Sequence, residues 1–461
     1  MQVMKFGGTS VQDATAINRV IEILRQQQTQ STIVVSAFAT ITNHLSELIE
    51  SLKQQNISAA ESHINYIHNR HLTISQDLNL ESEIFCFIEE MTEELKQIVL
   101  ASKILGEVTP RSIDSIMSYG ERLSSYIIYH AMKNAGISIS HIDARQIIKT
   151  DSNYSEAEVR ITDTTQAIEQ FCKPLFSNHD VVITGGFIGS DSSGNTTTLG
   201  RGGSDYSAAI IAAALNADRL EIWTDVDGIM TSDPRIIHDA KQILCLTYDE
   251  AAELAYFGAK VLHPKTIYPA VENQIPVFVK NTFNPDFPGT KIINFSKNNK
   301  MIKAIAFRPG ITVININSNR MLGAYGFLSN VFNVFEKHKT SVDLVTTSEV
   351  NISLTVDDDK NLPLIISDLN KFAKISVQKE MAIISAIGEG IRNTAGISSR
   401  LFGVLKGINI SMVSIGASEV NLSIIVNEND MIEAIRLLHN EFLASLPHSE
   451  IFREITKTDT E

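Results

Sequence analysis

Short apolar runs alternate with amphipathic stretches through most of the chain. Gln2–Phe6, Ser31–Ser36, Val181–Thr184, Thr196–Leu199, Glu221–Thr224 and Ile275–Lys280 carry clustered β-branched, aromatic or other apolar residues, which predicts strands. Helical spacing of apolar positions predicts helices at about 13–27, 58–75, 80–105 and 112–134, and also at Ala208–Leu215 and Tyr248–Ala255. His263-Pro264 is expected to start a further helix, with proline in its first turn. Strands and helices alternating in this way predict an α/β domain. The turn-rich segment Asn284–Thr290 marks its end, near residue 295.

Beyond it lies an internal repeat. Gly326–Val356 aligns without gaps on Gly396–Val426, and Ser-Glu-Val-Asn occurs at 348–351 and again at 418–421, an offset of 70. Each copy reads helix, strand, turn, strand, so two βαββαβ-like units are expected.

Chemistry concentrates where strands meet glycines. Thr196–Leu199 leads into Gly200-Arg201-Gly202-Gly203-Ser204-Asp205 and then an apolar helix, with Ser204 as its expected N-cap. Such a loop aims free N–H groups and a positive helix end at an anion. Arg201 adds a planar fork for a carboxylate or phosphate, and Asp205 sets a carboxylate beside it. A second strand delivers Lys5 and then Gly7-Gly8, a backbone nest for phosphate oxygens. Taken singly, either loop also serves as a plain structural turn. Thr42 follows the Ser31–Ser36 strand and is a candidate cleft residue. Gly120-Glu121 breaks a helical run with glycine, at about 1 kcal/mol against alanine, which hints at a close approach of ligand or backbone.

Composition narrows the ligand class. The 461 residues include 39 Lys and Arg against 53 Asp and Glu, a formal charge of −14, with a pI near 5.4. That balance argues against nucleic acid as a partner, so an anionic ligand needs a local cluster of cations. Cys86, Cys172 and Cys245 form no CxxC and no even framework, and are expected as core hydrophobes in a reducing cytoplasm. No run of 18 apolar residues and no leader pattern occurs, so no membrane partner is expected.

Lys5-Phe6-Gly7-Gly8-Thr9-Ser10-Val11 and Thr196–Ala209 resemble, in order and separation, the two signatures of aspartokinases within the amino acid kinase family. The resemblance covers nearly the whole chain and is to the monofunctional, lysine-sensitive type, with no homoserine dehydrogenase segment expected. It implies a three-layer αβα amino acid kinase domain over 1–295 and a regulatory region over 301–461. That region would hold two ferredoxin-like ACT units, about 318–388 for the first and about 301–317 plus 389–461 for the second. It further implies transfer of the γ-phosphoryl of ATP to the β-carboxylate of L-aspartate, the first step towards lysine, threonine and methionine.

By the same resemblance, Lys5, Asp205 and Lys260 are catalytic, and Thr42, Glu121, Arg201 and Ser204 hold aspartate. Lys5, Gly7, Gly8, Thr224, Asp225, Met230, Arg235 and Lys260 hold ATP, and Mg2+ is carried mainly by the ATP oxygens. An amino acid effector, expected to be lysine, falls to Met321, Phe327, Leu328, Ser341, Val342, Asp343, Thr347, Ser348 and Glu349. Val413 stands in the second copy where Asp343 stands in the first, so the second copy is expected to pack rather than sense. The paired units imply a homodimer or homotetramer. Three positions depart from the family pattern: Gly185, where Gln is frequent, Met230, where an aromatic residue is usual, and Ala324, where a hydroxyl residue occurs. Two other readings stay open from sequence: a different amino acid kinase of the glutamate 5-kinase kind, and a non-catalytic amino acid sensor, which Met230 alone favours.

Overall fold

β1 (Gln2–Phe6) is the strand around which the first part of the chain assembles. The computed structural model describes residues 1–258, 264–294, 302–318, 325–444 and 452–453; Lys260, Met321 and Ala324 lie outside the described residues. The chain divides into two compact units, 1–229 with 261–294 and 230–260 with 295–461.

In the first unit, β1 is followed by α1 (Ala14–Arg25), whose Asp13 caps the Ala16 N–H at 2.9 Å. Next come β2 (Ser31–Val35) and four long or linked helices: α2 (Ile41–Lys53), α3 (Ile57–Asp77), α4 (Ser82–Leu105) and α5 (Pro110–Met117). α6 (Tyr119–Asn134) starts after a break at Ser118, so the single run expected at 112–134 is two helices. β3 (Ile139–His141), α7 (Ala144–Ile147), α8 (Ile161–Ala167), β4 (Val181–Gly185), β5 (Ile188–Ser190) and β6 (Thr196–Thr198) lead to α9 (Gly203–Ala214) and β7 (Arg219–Thr224). Later in the chain, α11 (Pro264–Glu272), β11 (Val277–Asn281) and β12 (Thr290–Ile293) complete this unit.

Its strands run in the order β12-β11-β7-β1-β2-β4-β3, all parallel except β12. Gln2 to Phe6 face Ser31 to Val35 on one side and Arg219 to Trp223 on the other. Met4, Phe6, Ile33, Val35, Val181, Ile183 and Trp223 join one core with the helices α1 to α6. The alternate residues Val3, Val34, Val182 and Ile222 are equally buried. A parallel sheet covered on both faces requires that pattern, and α9 covers the second face across β1, β2 and β7. Of the cysteines, Cys172 is buried and Cys245 half-buried, but Cys86 is exposed on α4, contrary to the expected core placement. Among the described residues no helix is long and apolar enough to cross a membrane.

The second unit begins with the short strands β8 (Ile229–Met230, shared at its first residue with the first unit), β9 (Gln242–Ile243) and β10 (Cys245–Thr247), then α10 (Tyr248–Phe257). It continues with β13 (Ala304–Asn317), α12 (Phe327–Lys337), β14 (Val345–Thr347), β15 (Asn351–Val356) and α13 (Leu362–Leu369). β16 (Lys374–Ile387), α14 (Ile397–Val404), β17 (Ile410–Ile415), β18 (Asn421–Asn427) and α15 (Met431–His439) follow. These strands form one six-stranded sheet, β14-β15-β13-β16-β18-β17.

The repeat is visible in the strand register. Thr312 faces Val356 and Ile314 faces Leu354; Ala382 faces Val426 and Ile384 faces Ile424, the same pairs moved on by 70. Each repeat therefore opens in the second half of a long strand, near residue 311 and near residue 381. This corrects the expected limits at 318 and 388. It also divides 301–317, expected in the second unit: residues 304–308 pair with 383–387, and residues 312–317 with 351–356. The ladder between β13 and β16 shifts between Arg308 and Ile311, where Pro309 and Gly310 (φ 72°) interrupt it.

Behind this sheet sits a fully buried ion pair. Lys303 Nζ lies 2.7 Å from Glu250 Oε2, the two side chains 1% and 0% exposed. Glu250 also accepts the Thr247 N–H at 2.8 Å in a capping box at the start of α10, and the Glu389 N–H at 2.9 Å. Glu250→Ala strands a buried ammonium, so urea unfolding of the second unit is expected to show a loss of about 3–5 kcal/mol. A loss below about 1 kcal/mol would mean that Lys303 finds another partner.

Candidate active site

Four parallel strands end together, and each passes directly into a turn of small or polar residues. β1 delivers Gly7-Gly8, β2 delivers Ser36-Ala37, β4 ends in Gly185 before Gly186, and β7 delivers Thr224-Asp225. The strand order reverses about β1, and open α/β sheets bind ligands at such a point. The turns are fixed to the sheet. Gly7 N–H donates to Trp223 O at 3.1 Å, Ser36 N–H to Phe6 O at 3.1 Å, and Gly186 N–H to Val35 O at 2.9 Å.

Lys5 reaches across to the first turn of α9, where its Nζ lies 2.7 Å from Asp205 Oδ1. Both side chains are mostly buried, 13% and 14% exposed. The contact is an ion pair outside good hydrogen-bond angles, since Asp205 Oδ1 has no well-directed donor. Glu121 stands nearby in the first turn of α6, and its Oε1 accepts the Ala37 N–H at 3.3 Å. Burial pushes the Glu121 carboxyl up from 4.5 to about 8, against the Ala37 hydrogen bond and the charge of Lys5, which pull it down. Sequence alone suggests a surface position for Glu121; the fold buries it.

Two glycines make this closeness possible. A Cβ on Gly120 would lie 2.7 Å from Ala37 Cβ, so the predicted close approach is to the loop that holds Glu121. A Cβ on Gly186 would lie 2.6 Å from Ser204 Cβ, which brings the β4 turn against α9. Gly185, the departure from the family pattern, abuts Glu121, and a cavity of about 280 Å3 lined by Arg122, His141, Asp143 and Arg145 opens beside it.

The expected capping by Ser204 is corrected. The N-cap is Gly202, in the left-handed region at φ 73°, and Ser204 sits inside the first turn facing Gly186. With no side chain to strain, Gly202 turns the chain two residues earlier than a serine cap would. Arg201 is exposed and has no hydrogen bond or ion pair among the described residues.

The strand before this loop is held by a residue that sequence reasoning misses. Asp114 is fully buried, and accepts from Thr198 N–H at 2.8 Å, Thr198 Oγ1 at 2.9 Å and Ser155 N–H at 2.9 Å. Burial raises its carboxyl and these donors pull it back. In the sequence Asp114 falls between Ile113 and Ile116 like any polar helix residue, so nothing there separates it from a solvated charge.

The remaining expected residues are placed as follows. Thr42 is exposed in the first turn of α2, and its carbonyl accepts from Ser46 Oγ. Thr224 Oγ1 donates to Asp225 Oδ1 at 3.1 Å at the end of β7. Met230 and Arg235 belong to the second unit, where Arg235 is 89% exposed and forks onto Asp233. Within the second unit, Asp343 accepts from Tyr256 Oη at 2.8 Å and from Arg308 Nη1 at 3.3 Å, while Arg308 also donates to the Tyr256 carbonyl. Burial raises the Asp343 carboxyl. Phe327 is buried at the start of α12, Leu328 is exposed, Val342 packs on the core of the first repeat, and Ser341 is exposed. Thr347 lies on β14, and Ser348 and Glu349 are exposed in the turn that follows.

Residues 1–281 match the model of the amino acid kinase family, and residues 384–442 match an ACT domain. Lysine-sensitive aspartokinase 3 of Escherichia coli is 37% identical over 95% of this chain and 98% of that relative. Two solved structures of E. coli aspartokinase III, one in complex with aspartate and ADP (R-state), the other with lysine and aspartate (T-state), each superpose with a TM-score of 0.83. Each is 36% identical and covers 96% of this chain and 99% of its own. The matched kinase model, the ACT repeat and likeness over the full length of such relatives together establish that the chain belongs to the aspartokinases, within the amino acid kinase family.

Proposed function

We propose that the turns at the ends of β1, β2, β4 and β7 carry out aspartate kinase chemistry, moving the γ-phosphoryl of ATP to the β-carboxylate of L-aspartate to give 4-phospho-L-aspartate. The observation that carries this reading is the ion pair of Lys5 with Asp205 beside Gly7-Gly8, with Glu121 buried next to it. The acceptor carboxylate is already ionised at neutral pH, so no general base is needed to create the nucleophile. What remains is positioning and charge neutralisation.

Lys5 and the N–H groups of Gly7 and Gly8 hold phosphoryl oxygens, with Lys5 exchanging part of its contact with Asp205 for the nucleotide. Asp205, with its Oδ1 lacking a directed donor, would hold a water of the Mg2+ that ATP carries, and that ion would supply charge neutralisation for the transferred group. Arg201, unpartnered among the described residues, clamps the α-carboxylate of aspartate, and Glu121 takes the α-ammonium, with Thr42 and Ser204 adding hydrogen bonds. Thr224, Asp225, Met230 and Arg235 serve the nucleotide and Lys260 a phosphate, roles that rest on the family resemblance. Lysine acts as feedback inhibitor through the first repeat, where Asp343 is its carboxylate and Met321, Phe327, Leu328, Ser341, Val342, Thr347, Ser348 and Glu349 line the site. The enzyme works in the cytoplasm as a homo-oligomer joined through its ACT repeats.

An ATP- and aspartate-dependent hydroxamate assay tests the reading. Lys5→Ala or Asp205→Ala is expected to lower kcat on the order of 10²–10³-fold in protein that still unfolds cooperatively, the stranded partner lowering the unfolding temperature without accounting for the loss of turnover. Near-normal turnover in either would remove that residue from the mechanism, and no activity in the unmodified protein would end the proposal. Because Glu121 holds a proton up to about pH 8, it must ionise before it can take an ammonium group. The KM for aspartate should therefore fall by about tenfold per unit as pH rises towards 8 and then level; Glu121→Gln should show a high, flat KM across the same range. Asp343→Ala should raise the lysine concentration for half-inhibition by roughly 10–100-fold, the effect of one charge-assisted hydrogen bond. Unchanged inhibition would move the effector elsewhere.

A further inference from the structure

The α2–α3 hairpin carries a cluster that phosphoryl transfer does not use. His44 and Glu47 stand one turn apart on α2, and His63 meets them from α3. His44 Nδ1 and His63 Nδ1 are 3.0 Å apart, and Glu47 Oε2 lies 3.8 Å from the first and 3.6 Å from the second. The circle through these three atoms has a radius of about 2.0 Å, the bond length that Zn2+ makes to imidazole nitrogen and carboxylate oxygen. All three atoms can thus reach one ion without moving, and a small shift of that ion out of their plane leaves a fourth position for water.

Hydrogen bonding alone accounts for this arrangement less well. One ring can donate to the other at 3.0 Å, but the Glu47 oxygen is beyond hydrogen-bond range of both. It closes the triangle without bonding to either corner. The rings are also prepared for ligation. Tyr66 stacks on His44 with centroids 3.8 Å apart, which fixes the plane of that ring. Glu47 is exposed, which leaves a route for an ion from solvent.

The geometry points to a binding site for a first-row divalent ion of the Zn2+ class at His44, Glu47 and His63, clamping α2 to α3. Two imidazoles select against Mg2+, so this site is chemically separate from the ion that ATP carries. The clamp acts on the helix whose N-cap, Thr40, is held in the left-handed region at φ 73° and whose first turn carries Thr42. Tyr66 extends the link, its hydroxyl 3.3 Å from Thr40 Oγ1.

The test is titration of the chelator-stripped full-length protein with Zn2+ alone, followed by calorimetry and by thermal unfolding. One ion per chain and a higher unfolding temperature on loading are expected, with binding weakened more than about tenfold in His63→Asn and in His44→Leu. Equal binding by the unmodified protein and both variants, or no binding by the unmodified protein at micromolar Zn2+, overturns the proposal. Should a variant fold poorly, Co2+ added to the unmodified protein decides. Visible absorption bands of nitrogen-ligated Co2+ that one equivalent of Zn2+ abolishes support the site, and their absence overturns it.

Discussion

The ion pair between Lys5 and Asp205 joins the end of the central strand to the first turn of the helix that covers it. In a mostly buried setting each charge depends on the other, because an unpartnered ammonium or carboxylate there would cost several kcal/mol. The pair therefore constrains the cleft before any ligand arrives. It keeps the ammonium beside the glycine turn, and it holds the acidic residue at the positive end of α9, where the helix dipole favours negative charge. In the reaction proposed above, a phosphate entering this place would meet a cation already desolvated and oriented. Glu121 complements it. Burial raises its carboxyl to about 8, so a cationic group set beside it would favour the ionised form.

The second unit rests on a different kind of constraint. Lys303 and Glu250 tie α10 to the two long strands from within, and Tyr256 at the other end of α10 reaches Asp343 in the first repeat. The same helix is thus anchored both to the core shared by the repeats and to the carboxylate proposed for the effector. Under the effector site proposed above, an ammonium arriving at Asp343 would compete with Arg308 and Tyr256 for one buried carboxylate. Ligand binding there and the seating of α10 are for that reason linked through named atoms rather than through general flexibility.

Much of this was legible in the sequence because glycine turns after apolar runs have few structural solutions. β1, β2, β4 and β7, the turns after them and the 70-residue repeat all follow from such local patterns. What escaped was set by tertiary contact. Ser204 has the chemistry of a helix cap, yet Gly202 takes the position because only the left-handed backbone lets Gly203 pack under Phe187. Asp114 is indistinguishable from a solvated helix residue until Thr198 and Ser155 are brought to it. The limits of the repeats were missed because only the second half of each long strand gains the neighbour of its own repeat, β15 beside β13 and β18 beside β16.

That sharing of strands has an implication for how the regulatory region can be divided. The second repeat takes its outer pairing for β16 from residues 304–308, which precede the first repeat in the chain, and the first closes with residues 374–378 of the strand in which the second opens. Cutting the gene at either repeat boundary would leave each fragment with an exposed sheet edge, an invitation to self-association. Duplication here has produced two halves free to differ in side-chain chemistry, as at Asp343 and Val413, while remaining a single piece to fold and to inherit.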